Sequence, residues 1–518
     1  MNCKLILFSL ITLLVFTSCK KDQQSGTAVE TPAQPPNIVL ILADDLGYSD
    51  IGCFGAEMHT PNLDRLAEGG MRFTQVYNTS KCFPSRASLL TGAYAHQVNM
   101  GSGPPREITD AITLGNLLKQ AGYYTMWSGK HHGTQNPVTL GFDHYYGLRD
   151  GACNHFNPGE QRPGEGKPAQ KRPDRTWCID EECFSPYTPE ADDFYTTDYF
   201  TNYALQWLDE PQVDEKPFFL YLAYTAPHDP LMAWPEDIAK YEGKYSEGYA
   251  SIRQKRFEKQ KAIGLVNEDY VLPAAQHVDW ESLTEEERAD EERRMEVYAA
   301  MIDRMDQNIG RVLDKIKELG KEENTLVIFV SDNGASAEVV NIDDSGAIGT
   351  LTHWASLGPD WANVGNTPLR YYKNYSYEGG IRTPMVAYWP KGIQNTGSIN
   401  RTPLHFIDFM TTLASLAGVE YPGDYEGKAI VEAQGIDFSP MFQNESVTRN
   451  QPLFWQWGKG RAVRNGDWKL VAWEGEWELY NLADDPTETT NLVEQNQEQA
   501  IALQEAYEAW ASKVGLDD

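Results

Sequence analysis

Three scarcities bound what this chain can be. Cysteine is the first: seven occur in 518 residues, and Cys3 and Cys19 lie close to the N-terminus. A disulfide-rich scaffold is thereby excluded. Cys178 and Cys183 are near enough in sequence for one local bridge, but spacing alone leaves that pairing open. Positive charge is the second, since 44 Lys and Arg stand against 75 Asp and Glu, a formal net charge of −31. A chain so charged offers no field that draws in nucleic acid or an anionic lipid surface. Long apolar runs are the third, and the stretch from Leu5 to Phe16 is too short for a secure membrane span. No internal repeat and no glycine-rich nucleotide loop is evident either.

What is present begins with a processing signal. Lys4 supplies a positive start, Leu5 to Phe16 the apolar stretch and Thr17-Ser18-Cys19 the small residues of a cleavage site, so residues 1–18 read as a removable segment. Residues 19–35 read as a polar linker that opens on Cys19-Lys20-Lys21-Asp22 and ends in Thr31-Pro32-Ala33-Gln34-Pro35. The arrangement resembles a bacterial lipoprotein signal with Cys19 as the lipidated first residue, and its early charges resemble lipoproteins that reach the cell surface in the Bacteroidetes. That resemblance implies an exported protein, lipid-anchored to the outer membrane on its periplasmic or cell-surface face. An ordinary secretory peptide with an incidental cysteine is the alternative.

The length allows a large core and one smaller domain beside it. Ile38 to Ala43 is an unbroken apolar run that stops at Asp44-Asp45. Thr325 to Val330 repeats the pattern and stops at Ser331-Asp332-Asn333-Gly334, and Pro217 to Tyr224 stops before Pro227-His228. Three central strands ending in polar residues predict an α/β domain whose site lies at the strand ends. Helices are expected over 62–69, 85–92, 113–121 and 290–319, the last with Met295, Tyr298, Met301, Ile302, Met305, Ile309, Leu313 and Ile316 on one side. Its methionines read as core. Glu281–Glu292 reads as the solvated front of the same helix. The segment 150–190, rich in Gly, Pro and charge, reads as a long surface insertion near the mouth of the site. From about 400 the texture changes: a helix over 404–417, short strands around Arg461–Arg464, Trp468–Trp473 and Trp477–Tyr480 with turns at Asn465-Gly466 and Glu474-Gly475, and a closing helix over 495–513.

Lys81-Cys82-Phe83-Pro84-Ser85-Arg86, with Leu89-Leu90-Thr91-Gly92 after it, completes the pattern. Cys-x-Pro-Ser-Arg between Asp44-Asp45 and Asp332-Asn333 resembles the type I sulfatase family, over roughly residues 36–495. The resemblance implies an alkaline-phosphatase-like α/β sandwich with a large mixed sheet over 36–400 and a small C-terminal α+β domain with an antiparallel sheet over 401–518. It further implies that Cys82 is oxidised to formylglycine by a formylglycine-generating enzyme. The chemical logic is that a hydrated aldehyde has two hydroxyls. One attacks sulfur and expels the alcohol; loss of the second proton reforms the aldehyde and frees sulfate. A plain thiolate would leave a thiosulfate without an easy exit.

The remaining roles follow from the same resemblance. Asp44, Asp45, Asp332 and Asn333, with the modified Cys82, would bind one divalent cation, calcium most often and magnesium in some members; an all-oxygen donor set suits a hard ion rather than zinc. Arg86 would hydrogen-bond the diol. Ser128-Gly129-Lys130-His131-His132 resembles the Gly-Lys-x-His element, with Lys130 reaching a sulfate oxygen and His132, two residues on along an extended segment, holding or deprotonating the diol. His131 replaces the usual tryptophan or tyrosine and reads as structural. Pro227-His228-Asp229-Pro230 matches Pro-His-x-Pro, with His228 as the acid for the leaving oxygen. Lys373, ahead of Glu378-Gly379-Gly380-Ile381-Arg382-Thr383-Pro384, would contact the sulfate, and Arg382 would brace its loop. Leu357 to Ala362 resembles the bacterial arylsulfatase branch.

The expected activity is hydrolysis of a sulfate monoester, a small aryl or alkyl sulfate or a terminal sulfated sugar. A phosphonate or phosphate monoester hydrolase on the same scaffold is one alternative; an inactive glycan-binding lipoprotein is the other, although Cys82, Lys130, His132 and His228 are all present. His96, Asn99, His353 and Trp354, in loops expected at the mouth, are candidates for substrate contact.

Overall fold

The apolar run Ile38 to Ala43 forms the central strand of the molecule because both of its faces are buried. Val39, Ile41 and Ala43 enter one core and Ile38, Leu40 and Leu42 the other, the two-residue alternation of a strand between two layers. Each of the Val, Ile and Leu side chains contributes about 1.5–3 kcal/mol on burial. The computed structural model describes residue 1 and residues 34–516 apart from 173, 269, 343 and 344. The expected signal and most of the expected linker, Cys19 included, lie outside the described residues. From Pro35 onward the chain is one compact unit.

In chain order the strands of the large sheet are β1 (Asn37–Asp44), β2 (Met71–Tyr77), β3 (Tyr124–Gly129), β4 (His144–Leu148), β5 (Trp177–Ile179), β6 (Glu182–Phe184), β7 (Phe218–Pro227), β8 (Thr325–Ser331), β9 (Arg382–Tyr388), β10 (Ser398–Asn400) and β11 (Leu404–His405). Among the described residues they form an eleven-stranded sheet ordered β10-β2-β9-β8-β1-β7-β3-β4-β5-β6, with β11 also on β2. The centre is parallel, and β9 lies antiparallel to β8 and β2. Helices cover both faces. Glu285–Glu318 and Thr196–Leu208 supply one core, and Cys82–Thr91, Leu114–Gln120 and Asp408–Ala417 the other. This is the expected alkaline-phosphatase-like α/β sandwich with a large mixed sheet.

The long helix starts five residues before the expected 290. Thr284 accepts from the Glu287 amide and the Glu287 carboxylate returns to Thr284, a capping box, with Glu285–Glu287 favourable against the positive helix end. Met295, Met301, Met305, Ile309 and Ile316 are buried as core, while Leu313 is only partly covered. The expected helix over 404–417 is divided: Leu404–His405 pairs with β2, and the helix begins at Asp408.

The chain thus stays in the large layer past residue 400. After a short ribbon, β12 (Asp424–Tyr425) with β13 (Lys428–Ala429), the antiparallel sheet comprises β14 (Leu453–Trp457), β15 (Gly460–Asn465), β16 (Trp468–Trp473) and β17 (Glu478–Asn481). The helix Gln497–Lys513 packs on it. Segment 150–190 is not a mere surface excursion. Asn154, His155, Asn157 and Trp177 are buried, and β5–β6 extends the main sheet as a hairpin joined by the Cys178–Cys183 disulfide.

Candidate active site

Parallel pairing of β1 with β7 and β8 puts three polar strand ends side by side. Ala43 lies opposite Ser331, and Asp44 opposite Pro227. Asp44-Asp45, Asp332-Asn333 and His228 therefore meet at one sheet edge, where open α/β sheets place ligands. Cys82 reaches them from the first turn of the helix Cys82–Thr91, all ten residues of which are buried. Gly92, at φ 70°, ends that helix as a left-handed cap. Gly129 matters for a different reason: a Cβ there would stand 1.9 Å from the Ala223 carbonyl oxygen, so only glycine lets β3 close on β7 just before Lys130. Beyond it the chain is not the extended segment expected, because His132 adopts a left-handed φ of 62°.

The charged groups interlock. Lys130 Nζ is 2.5 Å from Asp44 Oδ2, and Lys373 Nζ is 2.8 Å from Asp45 Oδ2. Arg86 donates through Nε to Asp332 Oδ2 at 2.9 Å and through Nη1 to the Lys130 carbonyl at 2.8 Å. Asn333 Nδ2 donates to Asp45 Oδ1 at 2.7 Å, and the Asp45 amide donates to Asp332 Oδ1 at 3.3 Å. His228 Nε2 lies 3.5 Å from Asp45 Oδ2, while its Nδ1 lies 2.9 Å from Asp229 Oδ1. Asp229 is fixed in turn by the Ser356 hydroxyl at 2.6 Å and the Trp354 indole at 3.4 Å. Glu338 bridges Lys81 at 2.6 Å and Lys373 at 2.9 Å. Asp229 and Glu338 were not anticipated from sequence. Asp229 sat in view as the variable position of Pro-His-x-Pro; Glu338 carries no local signal.

Burial and neighbouring charge shift the titratable groups of the site in different directions. Burial pushes the Cys82 thiol up to about 12 in spite of Lys130 and Lys373, so an unmodified thiol stays protonated and weakly nucleophilic. Burial, then the Lys130 and Arg86 charges, hold His132 neutral. Burial works against a charged His228, but the Asp45 and Asp44 carboxylates overcome it and raise its pKa. Asp332 is pushed up by burial and by the Asp44 charge, whereas Asp44, against its own burial, is held low by Lys130, His228 and Arg86.

A divalent cation fits this cluster. Donor atoms of Asp44, Asp45, Cys82 and His228 all lie within 4.8 Å of one another. Asp44 Oδ1 and Asn333 Oδ1 are buried and accept no hydrogen bond from the described residues. Orphaned oxygens at a crowded acidic site are what a cation would satisfy. Lys81, Cys82, His132, His228, Glu338 and Lys373 line a cavity of about 700 Å³ above it. Lys130, Arg86 and Asp44 are fully buried, Lys130 and Arg86 being tied to Asp44 and Asp332.

The four specificity candidates separate. Trp354 lines the cavity. The His96 ring packs edge-on against Trp510 at 5.8 Å, Asn99 hydrogen-bonds the Glu107 carbonyl and Arg106, and His353 Nδ1 lies 3.1 Å from the Gly346 carbonyl; none of these three lines the cavity. His131 is buried edge-on against Trp127 at 5.0 Å. Arg382 braces its loop, donating to the Thr74 carbonyl and lying over the Tyr48 ring.

Known proteins match this arrangement along nearly the whole chain. The family model for sulfatases matches residues 36–419, and that for the C-terminal region of N-sulphoglucosamine sulphohydrolase matches 369–510. An uncharacterised sulfatase of Schizosaccharomyces pombe is 34% identical over 94% of this chain and 95% of its own length. An arylsulfatase of Klebsiella aerogenes is 33% identical over 83% of this chain and 97% of its own. The solved structure of Ps i-CgsB in complex with k-i-k-neocarrahexaose superposes with a TM-score of 0.68 at 26% identity, covering 92% of this chain and 93% of that one. With Cys82 seated among Asp44, Asp45 and His228, the chain belongs to the type I, formylglycine-dependent sulfatase family and is a sulfate ester hydrolase.

Proposed function

We propose that the enzyme removes sulfate from a sulfated saccharide, with each site residue in a distinct role. The observation that carries this reading is the position of Cys82, buried in the first turn of its helix and lining an open cavity, grouped with Asp44, Asp45 and His228 and under the charges of Lys130 and Lys373. Asp44, Asp45, Asp332 and Asn333 would hold a divalent cation, calcium by preference, which would supply counter-charge to the sulfate and to the carboxylates. Lys373 faces the cavity and holds a sulfate oxygen. Lys130 and Arg86 stand behind, fixing Asp44, Asp332 and position 82. His132, neutral, with a buried Nδ1 that has no hydrogen-bond partner among the described residues, accepts a proton from the hydroxyl at position 82. His228, oriented by Asp229, hands a proton to the leaving oxygen.

A saccharide is favoured by the cavity's size and by the hexaose held in Ps i-CgsB. Maturation of Cys82 falls to a formylglycine-generating enzyme acting on Cys82-Phe83-Pro84-Ser85-Arg86. The deciding experiment combines peptide mass spectrometry of residue 82 with sulfate release from defined sulfated sugars, before and after metal chelation. Release by protein carrying only thiol at position 82 would overturn the reading. We propose further that a lipid on Cys19 anchors the protein to the outer membrane. Among the described residues no helix is long and apolar enough to cross a membrane. Cys19→Ala should move the protein from the membrane to the soluble fraction.

A further inference from the structure

The two lysines nearest Cys82 in the cavity lining carry carboxylate partners, Lys373 with Asp45 and Glu338 and Lys81 with Glu338. One wall of the same cavity is different. Arg149, Lys171, Arg172 and Arg175 all line it. Among the described residues Asp150 is the carboxylate that pairs with them, 3.5 Å from Arg172 and 3.9 Å from Arg175. Four cations against Asp150, with Asp174 the further carboxylate acting on Arg175, is a local excess in a chain whose net charge is −31.

The fold builds this wall. Antiparallel pairing of β4 with β5 sets Leu148 opposite Trp177, and the Arg149 amide donates to the Thr176 carbonyl at 2.9 Å. Arg149 and Arg175 are thereby held on neighbouring strand ends. The Thr176 amide donates to Asp150 Oδ2 at 2.5 Å, which fixes that carboxylate between them. The Arg175 side chain is only 9% exposed, yet it donates no hydrogen bond to any other described residue. A guanidinium taken out of water normally has its donors satisfied. Here they are left to the cavity.

We infer that this wall is a second anion subsite, so that the preferred substrate is a saccharide carrying at least two anionic groups: the scissile sulfate and a second sulfate or carboxylate met by Arg149, Arg172 and Arg175. The inference rests on the sulfatase reading and specifies its substrate class. Guanidinium groups recognise both oxyanions through paired hydrogen bonds, and Lys171 adds a point charge at the rim.

Calorimetry on Cys82→Ala protein reads the subsite without turnover. Three matched sugars are compared: one with a single sulfate, one with a second sulfate and one with a neighbouring uronate. The dianions should bind about tenfold tighter than the monosulfate, as expected for one charged hydrogen-bonded contact, and the better of the two names the second group. Arg172→Gln and Arg175→Gln should each remove that preference; Arg172, whose side chain is 61% exposed, carries the test without risk to folding. Equal affinity for all three sugars, or equal loss on all three in the variants, overturns the subsite. Sulfate release by matured wild type is measured separately. Tight dianion binding without turnover would refute the hydrolase reading and leave the subsite standing.

Discussion

At the scale of single residues, the site divides between groups that carry charge and groups that move protons. Replacing Asn333 with Ala removes an orphaned oxygen and a hydrogen bond to Asp45. Metal content measured on purified protein should fall, with turnover falling alongside; full metal occupancy in the variant would remove Asn333 from the ligand set. His228→Ala should cost roughly 10²–10⁴-fold on an alkyl sulfate, whose alkoxide is a poor leaving group. The same change should cost far less on a nitrophenyl sulfate, whose phenolate carries its own charge. Lys373→Ala should slow both substrates alike, by about 3–4 kcal/mol of transition-state stabilisation. A leaving-group series on the two variants checks this, and equal loss across the series for His228→Ala would make His228 a sulfate-binding group. These residues were legible because each sits in a short motif. Asp229 and Glu338 were not, since their roles come from contacts with His228 and Lys373.

At the scale of elements, the loop that bears Lys373 is held by the small sheet. Lys469, on β16, is buried with Nζ 2.8 Å from both Glu378 Oε1 and Glu488 Oε1, and the Glu378 amide donates to Glu488 Oε2 at 2.9 Å. Tyr77 on β2 donates to Glu378 at 2.7 Å, and the Trp457 indole on β14 donates to Asn374, next to Lys373, at 3.1 Å. Lys469→Ala removes the buried cation shared by Glu378 and Glu488 and leaves Glu378 with Arg382, 3.4 Å away, as its remaining ion pair. It should cost about 3–5 kcal/mol, read by urea unfolding, and should weaken turnover through the loop.

The same cluster gives a pH signature. Burial, and then the Glu378 charge, push Glu488 above the ordinary carboxyl range, so the folded state keeps a proton that the unfolded chain releases. The stability this supplies is complete at low pH and lost as pH rises through the raised pKa. Glu378 behaves oppositely: against its burial, Lys469 and Arg382 hold it low, and its contribution disappears as pH falls. Glu488→Gln cannot ionise. Its Tm relative to wild type should therefore climb between about pH 5 and about pH 8, and a flat difference would show that Glu488 does not hold the proton.

For the molecule as a whole, the two sheets share a core. Tyr77, Tyr94, Tyr377 and Ile381 from the large layer pack with Leu453, Trp455, Leu470, Leu479, Tyr507 and Trp510 from the C-terminal part. Calorimetry of residues 35–518 should show one cooperative unfolding transition. Two resolved transitions would mean that the small sheet is an independent domain.

The sequence by itself determined the central strands, the buried face of the long helix and the family motifs. Each is written in a local signal: an apolar run between polar ends, a helical period, or a chemistry-bearing residue type at short spacing. Element starts were less legible. The capping box at Thr284 and Glu287 lies inside the acidic run that hides the helical period, and Leu404-His405 joins β2 through a partner more than 300 residues away. The cluster itself was decided only by the tertiary structure. Which loops face the cavity depends on strand order and on what covers each loop. The C-terminal helix seats Trp510 against His96, and β4–β5 pairing brings Arg149 beside Arg175. Such pairings join distant residues, and no window of the sequence contains both partners.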